Sequence, residues 1–230
     1  MFKDRKEELR RLEEELLLEA EIEQQEALLQ QELEESAMSE LDFSSGSSEA
    51  VTLSRQLSAK LLEAVRFSAI RGNASEIRAL AGQGSLGSGV DVAAWDTITT
   101  ENLPQSVELI GSLAKRTGAV IAVSGAMDVV SDGTKTILLH NGCATMARIT
   151  GSGCMLTTLI GAFCAAVPEH PFEATCAAMA AMGVCGELAE EKRIKNETGN
   201  ATFRTDLIDA VFNLTGQELK ERIRYEVYKG

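Results

Sequence analysis

The chain has 230 residues and a formal net charge of −13, enough for one ordinary domain with an appendage. The acidity is local, because residues 1–49 hold 16 Asp/Glu against 5 Lys/Arg and the remaining 181 residues carry only −2. This pattern excludes a basic nucleic-acid surface, and neither a membrane-length uninterrupted apolar run nor the apolar core of a secretory signal is found.

Residues 3–35 predict one long acidic helix, rich in Glu, Leu, Gln, Arg and Ala and free of Gly and Pro. Leu9, Leu12 and Leu16 share one face, but Gln24 and Gln25 break the seam that a coiled coil requires. The helix reads either as a solvated arm with one packing stripe or as a partner-binding element. Phe43-Ser-Ser-Gly-Ser-Ser48 is a flexible linker by composition. The expected organisation is an acidic helical arm over 1–43, a Ser/Gly linker over 44–50 and a globular domain over 51–230.

From Ala50 the texture changes. Val51 to Val65 predicts a helix, Phe67 to Arg71 a short strand, Ala74 to Ala81 a helix, and Gly82 to Gly89 a glycine-rich loop. Leu103 to Thr117 predicts a helix and Ala119 to Val123 a fully apolar strand of the buried parallel type. Asp128 to His140 reads as a hairpin turning at Asp132-Gly133, and Ala144 to Ile149 as another strand. Helices over Cys154 to Val167 and Pro171 to Lys192, and closing segments over Leu207 to Asn213 and Gln217 to Tyr225, complete the chain. Strands alternating with helices predict an α/β layered fold with a largely parallel sheet. The five cysteines form no Cys-x-x-Cys pair, which points to reduced thiols in a cytoplasmic protein.

The strongest chemical signal is Thr150-Gly-Ser-Gly-Cys154, a glycine turn between an expected strand and an apolar helix. Backbone N–H groups there can converge on an anion at the positive helix end; the structural alternative is a tight turn. Cys154 at a helix N-terminus has a stabilised thiolate, whereas Cys164, Cys176 and Cys185 read as small buried hydrophobes. Asn73 and Glu76 have the spacing of a capping box. Their alternative reading is functional, with Arg71 against a phosphate and Glu76 near a magnesium ion. Ser124 ends the buried strand, at the sheet edge where α/β folds bind ligands.

These elements in this order resemble the hydroxyethylthiazole kinases of the ribokinase-like superfamily. The resemblance is carried by Ile70-Arg-Gly-Asn-Ala-Ser-Glu-Ile77, Ala122-Val-Ser-Gly125, Asp128-Val-Val130, Leu139-His-Asn-Gly142, Thr150-Gly-Ser-Gly-Cys154, Leu156 to Phe163 and Gly199 to Arg204. It implies a partial ribokinase-like α/β/α sheet behind the acidic arm. It also implies ATP- and magnesium-dependent phosphorylation of the hydroxyl of 4-methyl-5-(2-hydroxyethyl)thiazole, a step of thiamine biosynthesis and salvage. By the same resemblance Arg71 and Ser124 bind ATP, Gly151 contacts substrate, Cys154 lies near the substrate hydroxyl, Glu76 joins the magnesium network, and the assembly is a homotrimer. Residues 1–49 hold no counterpart of the family's opening strands. Nor do they hold its Asp-Pro-Val-Gly-like segment, since none of the three prolines follows an aspartate. The second expectation is therefore a catalytically incomplete kinase remnant, acting as a structural or interaction protein through its amino-terminal helix.

Overall fold

The computed structural model describes residues 57–82 and 97–229. Residues 58–230 form one compact unit, which holds the sheet with its helices. The helix expected over 3–35, the Ser/Gly linker and the glycine-rich loop beyond Gly82 lie outside the described residues; residues 58–64 of the next expected helix are helical.

The elements run β1 (Ala69–Asn73), α1 (Ala74–Leu80), α2 (Leu103–Thr117), β2 (Val120–Ser124), β3 (Asp128–Ser131), β4 (Thr136–Leu139), a 3-10 turn (Ala144–Arg148), α3 (Ser152–Ala166), α4 (Pro171–Lys195), α5 (Asn200–Asn213), α6 (Gly216–Arg222) and β5 (Tyr225–Val227). α2 occupies the span its sequence predicts: Ser106, Ile110, Leu113 and Ala114 are its buried residues, at helical spacing. Gly118 ends it in the left-handed region at φ 70°, with its N–H bonded back to Ala114 O at 2.8 Å.

The five strands lie in the order β1-β2-β3-β4-β5. Only β1 and β2 pair in parallel among the described strands; the other three pairings are antiparallel. The sheet is therefore mixed, contrary to the expectation of a largely parallel one. The reason is local. Asp132 Oδ1 accepts from the N–H groups of Thr134 (2.8 Å) and Lys135 (2.7 Å), which turns the chain within four residues. So short a connection can join only antiparallel strands.

Strand alternation sends side chains to two faces. Val120, Ala122, Val130 and Leu139 pack with α3, α4 and α5 in one cluster, centred on Met179, Met182, Phe203 and Leu207. Ile121, Val123, Val129 and Leu138 pack with α1 and α2 in the other, around Ile77, Ile110 and Leu113. The result is three layers, helices on both faces of one sheet.

Three further expectations are corrected. Ala144–Arg148 is a 3-10 turn and not a strand. Met146 N–H bonds back to Cys143 O at 3.1 Å, and its Sδ lies where a side chain at Gly186 of α4 would begin. The closing segment expected over Gln217 to Tyr225 divides into α6 and β5, a short strand hydrogen-bonded to β4. Finally, α4 is long and apolar enough by composition to cross a bilayer, although no uninterrupted apolar run signals it. Here it is the central core helix, with Ala178 to Gly186 continuously buried.

Candidate functional site

The register of the central strands brings distant residues to one place. Arg71 pairs with Ala122, and Ala122 pairs across with Val130. Two residues further along each strand, Ser124 and Asp128 fall on the same face by the alternation of side chains. That face is the one covered by α3 and α4. Arg71 Nη2 donates a short hydrogen bond to Ser124 Oγ. The guanidinium also lies against the first turn of α3, where a Cβ on Gly153 would be 2.7 Å from Arg71 Nη1. Arg71, Ser124 and the Thr150–Cys154 turn thus meet at the carboxyl end of β2.

The two glycines of the turn serve different ends. Gly151, the N-cap of α3, is in the left-handed region at φ 95° with nothing among the described residues within 4 Å of its ideal Cβ. Its requirement is conformational. Gly153 is crowded instead, and any side chain there would displace Arg71. Among the described residues no side chain caps α3, and its first turn carries no acidic residue. A cation therefore faces the positive end of a helix, an arrangement unfavourable on its own and favourable around an anion. Arg71 Nε is buried without a hydrogen-bond partner among the described residues. An orphaned donor of this kind in a native fold is uncommon and fits a site that an oxyanion completes.

Glu76 and Asn73 form the capping box read from their spacing. Asn73 Oδ1 accepts from Glu76 N at 2.8 Å, and Glu76 Oε2 accepts from Asn73 N at 2.7 Å. This box uses one carboxylate oxygen of Glu76. Among the described residues no group of three or more His, Cys, Asp or Glu is placed to hold a metal ion. Magnesium, however, is commonly held by one or two carboxylates, with phosphates and waters completing its octahedron, and a lone Glu76 suits that donor set.

Cys154 lies in the first turn of α3 and is exposed, whereas Cys164 and Cys185 are buried and Cys143 and Cys176 half-buried. Burial, with Glu173 and Asp132 adding to it, pushes the Cys176 thiol up to about 12. Burial, then Glu218, pushes Cys185 up to about 11. Those two sulfurs are held as thiols at neutral pH.

Asp128 is a site residue that the sequence pattern alone does not single out. Asp128 Oδ1 accepts from Gly125 N at 2.8 Å, closing the turn that follows Ser124. Desolvation pushes its carboxyl up to about 7, against the lowering effects of the Gly125 N–H and of the Arg71 charge. The available signal was an aspartate two residues before Val130 in a buried strand, hence on the inward face.

Comparison with known proteins adds ancestry to this geometry. The sequence profile of the Hydroxyethylthiazole kinase family matches residues 29–217. The chain belongs to the hydroxyethylthiazole kinase family. It is 44% identical over 180 residues to the hydroxyethylthiazole kinase of Clostridium acetobutylicum, covering 78% of this chain and 65% of that protein. It is 42% identical over 156 residues to hydroxyethylthiazole kinase 2 of Methanosphaera stadtmanae, covering 65% and 55%. The solved hydroxyethylthiazole kinase structure from Pyrococcus horikoshii OT3 superposes with a TM-score of 0.62 at 25% identity, covering 78% of this chain and 62% of that one. This family member thus spans somewhat under two thirds of the length of these relatives.

Proposed function

We propose that this chain binds ATP at the carboxyl end of β2 and serves in the phosphorylation of the hydroxyl of 4-methyl-5-(2-hydroxyethyl)thiazole. The observation that carries the reading is the Arg71 guanidinium, held by Ser124 at the uncapped N-terminus of α3 with a buried, unpaired Nε. A phosphate oxygen supplies what that donor and the helix end both lack.

Placement supports the following roles. Arg71 and the N–H groups after Gly151 hold phosphate oxygens, and Ser124 keeps the guanidinium in position. Gly151, with open space beside it, leaves room for the acceptor to approach the helix end. Cys154, exposed in the first turn, stands beside the acceptor hydroxyl. Glu76 is the carboxylate suited to magnesium, whose charge neutralises the phosphates during transfer. Phosphoryl transfer depends on such positioning and charge more than on covalent participation by the protein. A homotrimer and a cytoplasmic setting are proposed with this reading; the free thiols agree with the second.

The test is a fluorescent ATP titration of the 230-residue chain with magnesium, followed by an assay for ADP formed only when the thiazole alcohol is present. Saturable binding with thiazole-dependent ADP supports the proposal. Binding without turnover favours the catalytically incomplete reading, in which the fold is retained as an interaction module. Absence of binding removes the nucleotide site altogether.

A further inference from the structure

Asp128 is hard to explain as a structural residue. Its carboxyl sits at the inward end of a buried strand, next on its face to the apolar Val130, and desolvation works against its ionised form. The hydrogen bond it gains is the 2.8 Å contact from Gly125 N–H, which an uncharged amide accepts equally well. A carboxyl placed where its ionised form costs stability marks a functional role more often than a structural one.

What the charge does is set by its neighbours. The Arg71 guanidinium is the cation whose field acts on this carboxyl. Arg71 itself is pressed against the positive end of α3, which repels it. Ser124 Oγ, a neutral acceptor, gives it one hydrogen bond. Without a nearby negative charge the guanidinium would swing toward solvent. Asp128 lies across from Ser124 in the extended β2/β3 register, on the same face as Arg71, and supplies that charge.

We propose that Asp128 is a positioning residue, whose carboxylate holds Arg71 over the first turn of α3 and, through Gly125 N–H, fixes the turn that carries Ser124. It acts through Arg71 and does not touch the nucleotide. The functional consequence rests on the proposed nucleotide binding; the effect on Arg71 does not.

The experiment separates the two. The 15N-labelled chain is compared with Arg71→Lys and Asp128→Asn. Asp128→Asn keeps an acceptor for Gly125 N–H and removes the charge. The buried Arg71 Nε–H gives an exchange-protected signal that Arg71→Lys lacks. In Asp128→Asn that signal shifts, and its exchange with solvent accelerates on the order of tenfold, while ATP affinity falls by a similar factor, as for the loss of one charge-assisted contact. The melting temperature at pH 8 does not fall, which a structural role alone would require. The proposal is overturned if wild type shows no protected Arg71 signal, or if that signal and its exchange are unchanged in Asp128→Asn. If the signal responds to Asp128→Asn but ATP leaves it unmoved in wild type, the positioning role stands and the nucleotide reading fails.

Discussion

Two polar clusters at strand ends bring an arginine and a carboxylate together, as a direct ion pair in one and through the field alone in the other, and they differ in how fully they are satisfied. At the end of β4, Glu187 accepts from Arg224 Nη2 at 2.5 Å, Arg224 Nη1 at 3.1 Å, Gly142 N at 2.8 Å and Asn141 Nδ2 at 3.1 Å. Asn141 Oδ1 in turn accepts from Arg224 N at 2.7 Å. Burial works against the Glu187 charge, but Arg224 and the amides outweigh it and hold the carboxyl below its ordinary 4.5. At the end of β2 the balance is reversed: Arg71 Nε has no partner among the described residues, and desolvation pushes Asp128 up to about 7. The first cluster is a lock that ties β5 to α4. The second is unsatisfied within the fold, as expected where a ligand completes the bonding.

The largest effect should come from breaking the lock. Glu187→Ala leaves the Gly142 N–H unpaired and removes the ion pair of Arg224, which keeps its bond to His140 O at 2.8 Å. The carboxylate is 17% exposed and its arginine 55%, so the loss is that of charge-assisted hydrogen bonds and should cost up to about 3 kcal/mol, read as a lower midpoint in urea with ATP affinity per folded molecule unchanged. A cost near zero would remove the distinction between the clusters. Arg71→Ala should do the converse. It deletes the donor that meets the phosphates, and ATP affinity should fall about a hundredfold, or about 2.7 kcal/mol, with little change in the urea midpoint. Equal affinity for wild type and variant would show that the unsatisfied cluster is not the nucleotide site.

How much of this was legible in sequence divides along the same line. The span of α2, the β3/β4 hairpin, the Asn73–Glu76 capping box and the glycine turn ahead of α3 are local signals, written in neighbouring residues. β5 was not legible, because Tyr225-Glu226-Val227 is exposed throughout. Its place is set by Asn141 and Glu187, which hold Arg224 from other elements. Asp128 was legible as the start of a strand but not as a site residue, since its meaning depends on Arg71 from β1. The second glycine of the turn looked like anion-binding backbone, yet its requirement is room for a guanidinium. Local chemistry reads from sequence; satisfaction of buried groups needs the register.

A smaller effect, of opposite sign at the two clusters, is expected from pH. Glu187 has a lowered pKa, so its contribution to stability is present above its unfolded value of 4.5 and is lost as pH falls through and below it. Asp128 has a raised pKa, so stability is highest with the carboxyl protonated and is lost as pH rises from about 3.8 through about 7. Asp128→Asn should therefore be more stable than wild type at pH 8, by about 1–2 kcal/mol after discounting for the solvent that reaches this half-buried group. Its advantage should vanish near pH 4. A pH-independent difference would mean that Asp128 does not titrate in this range.

The smallest effects discriminate most finely, because they concern two glycines in one turn. Gly151 has φ 95° and open space around its ideal Cβ, so Gly151→Ala meets no neighbour. It carries only the penalty of an L-residue in a left-handed conformation, about 1 kcal/mol, and Arg71 keeps its place. Gly153 lies inside the first turn of α3, where alanine is favoured over glycine by about 1 kcal/mol. Its Cβ, however, would meet Arg71 Nη1 at 2.7 Å. The obstacle is the tip of a flexible side chain, so the arginine moves rather than the helix. Gly153→Ala should thus leave stability unchanged or slightly raised while displacing the guanidinium and weakening ATP binding several-fold. Gly151→Ala should lower stability without disturbing the Arg71 Nε–H signal. If Gly153→Ala left that signal and ATP affinity intact, the guanidinium would not be resting on the helix end, and the contrast between a satisfied lock and an open site would lose its central contact.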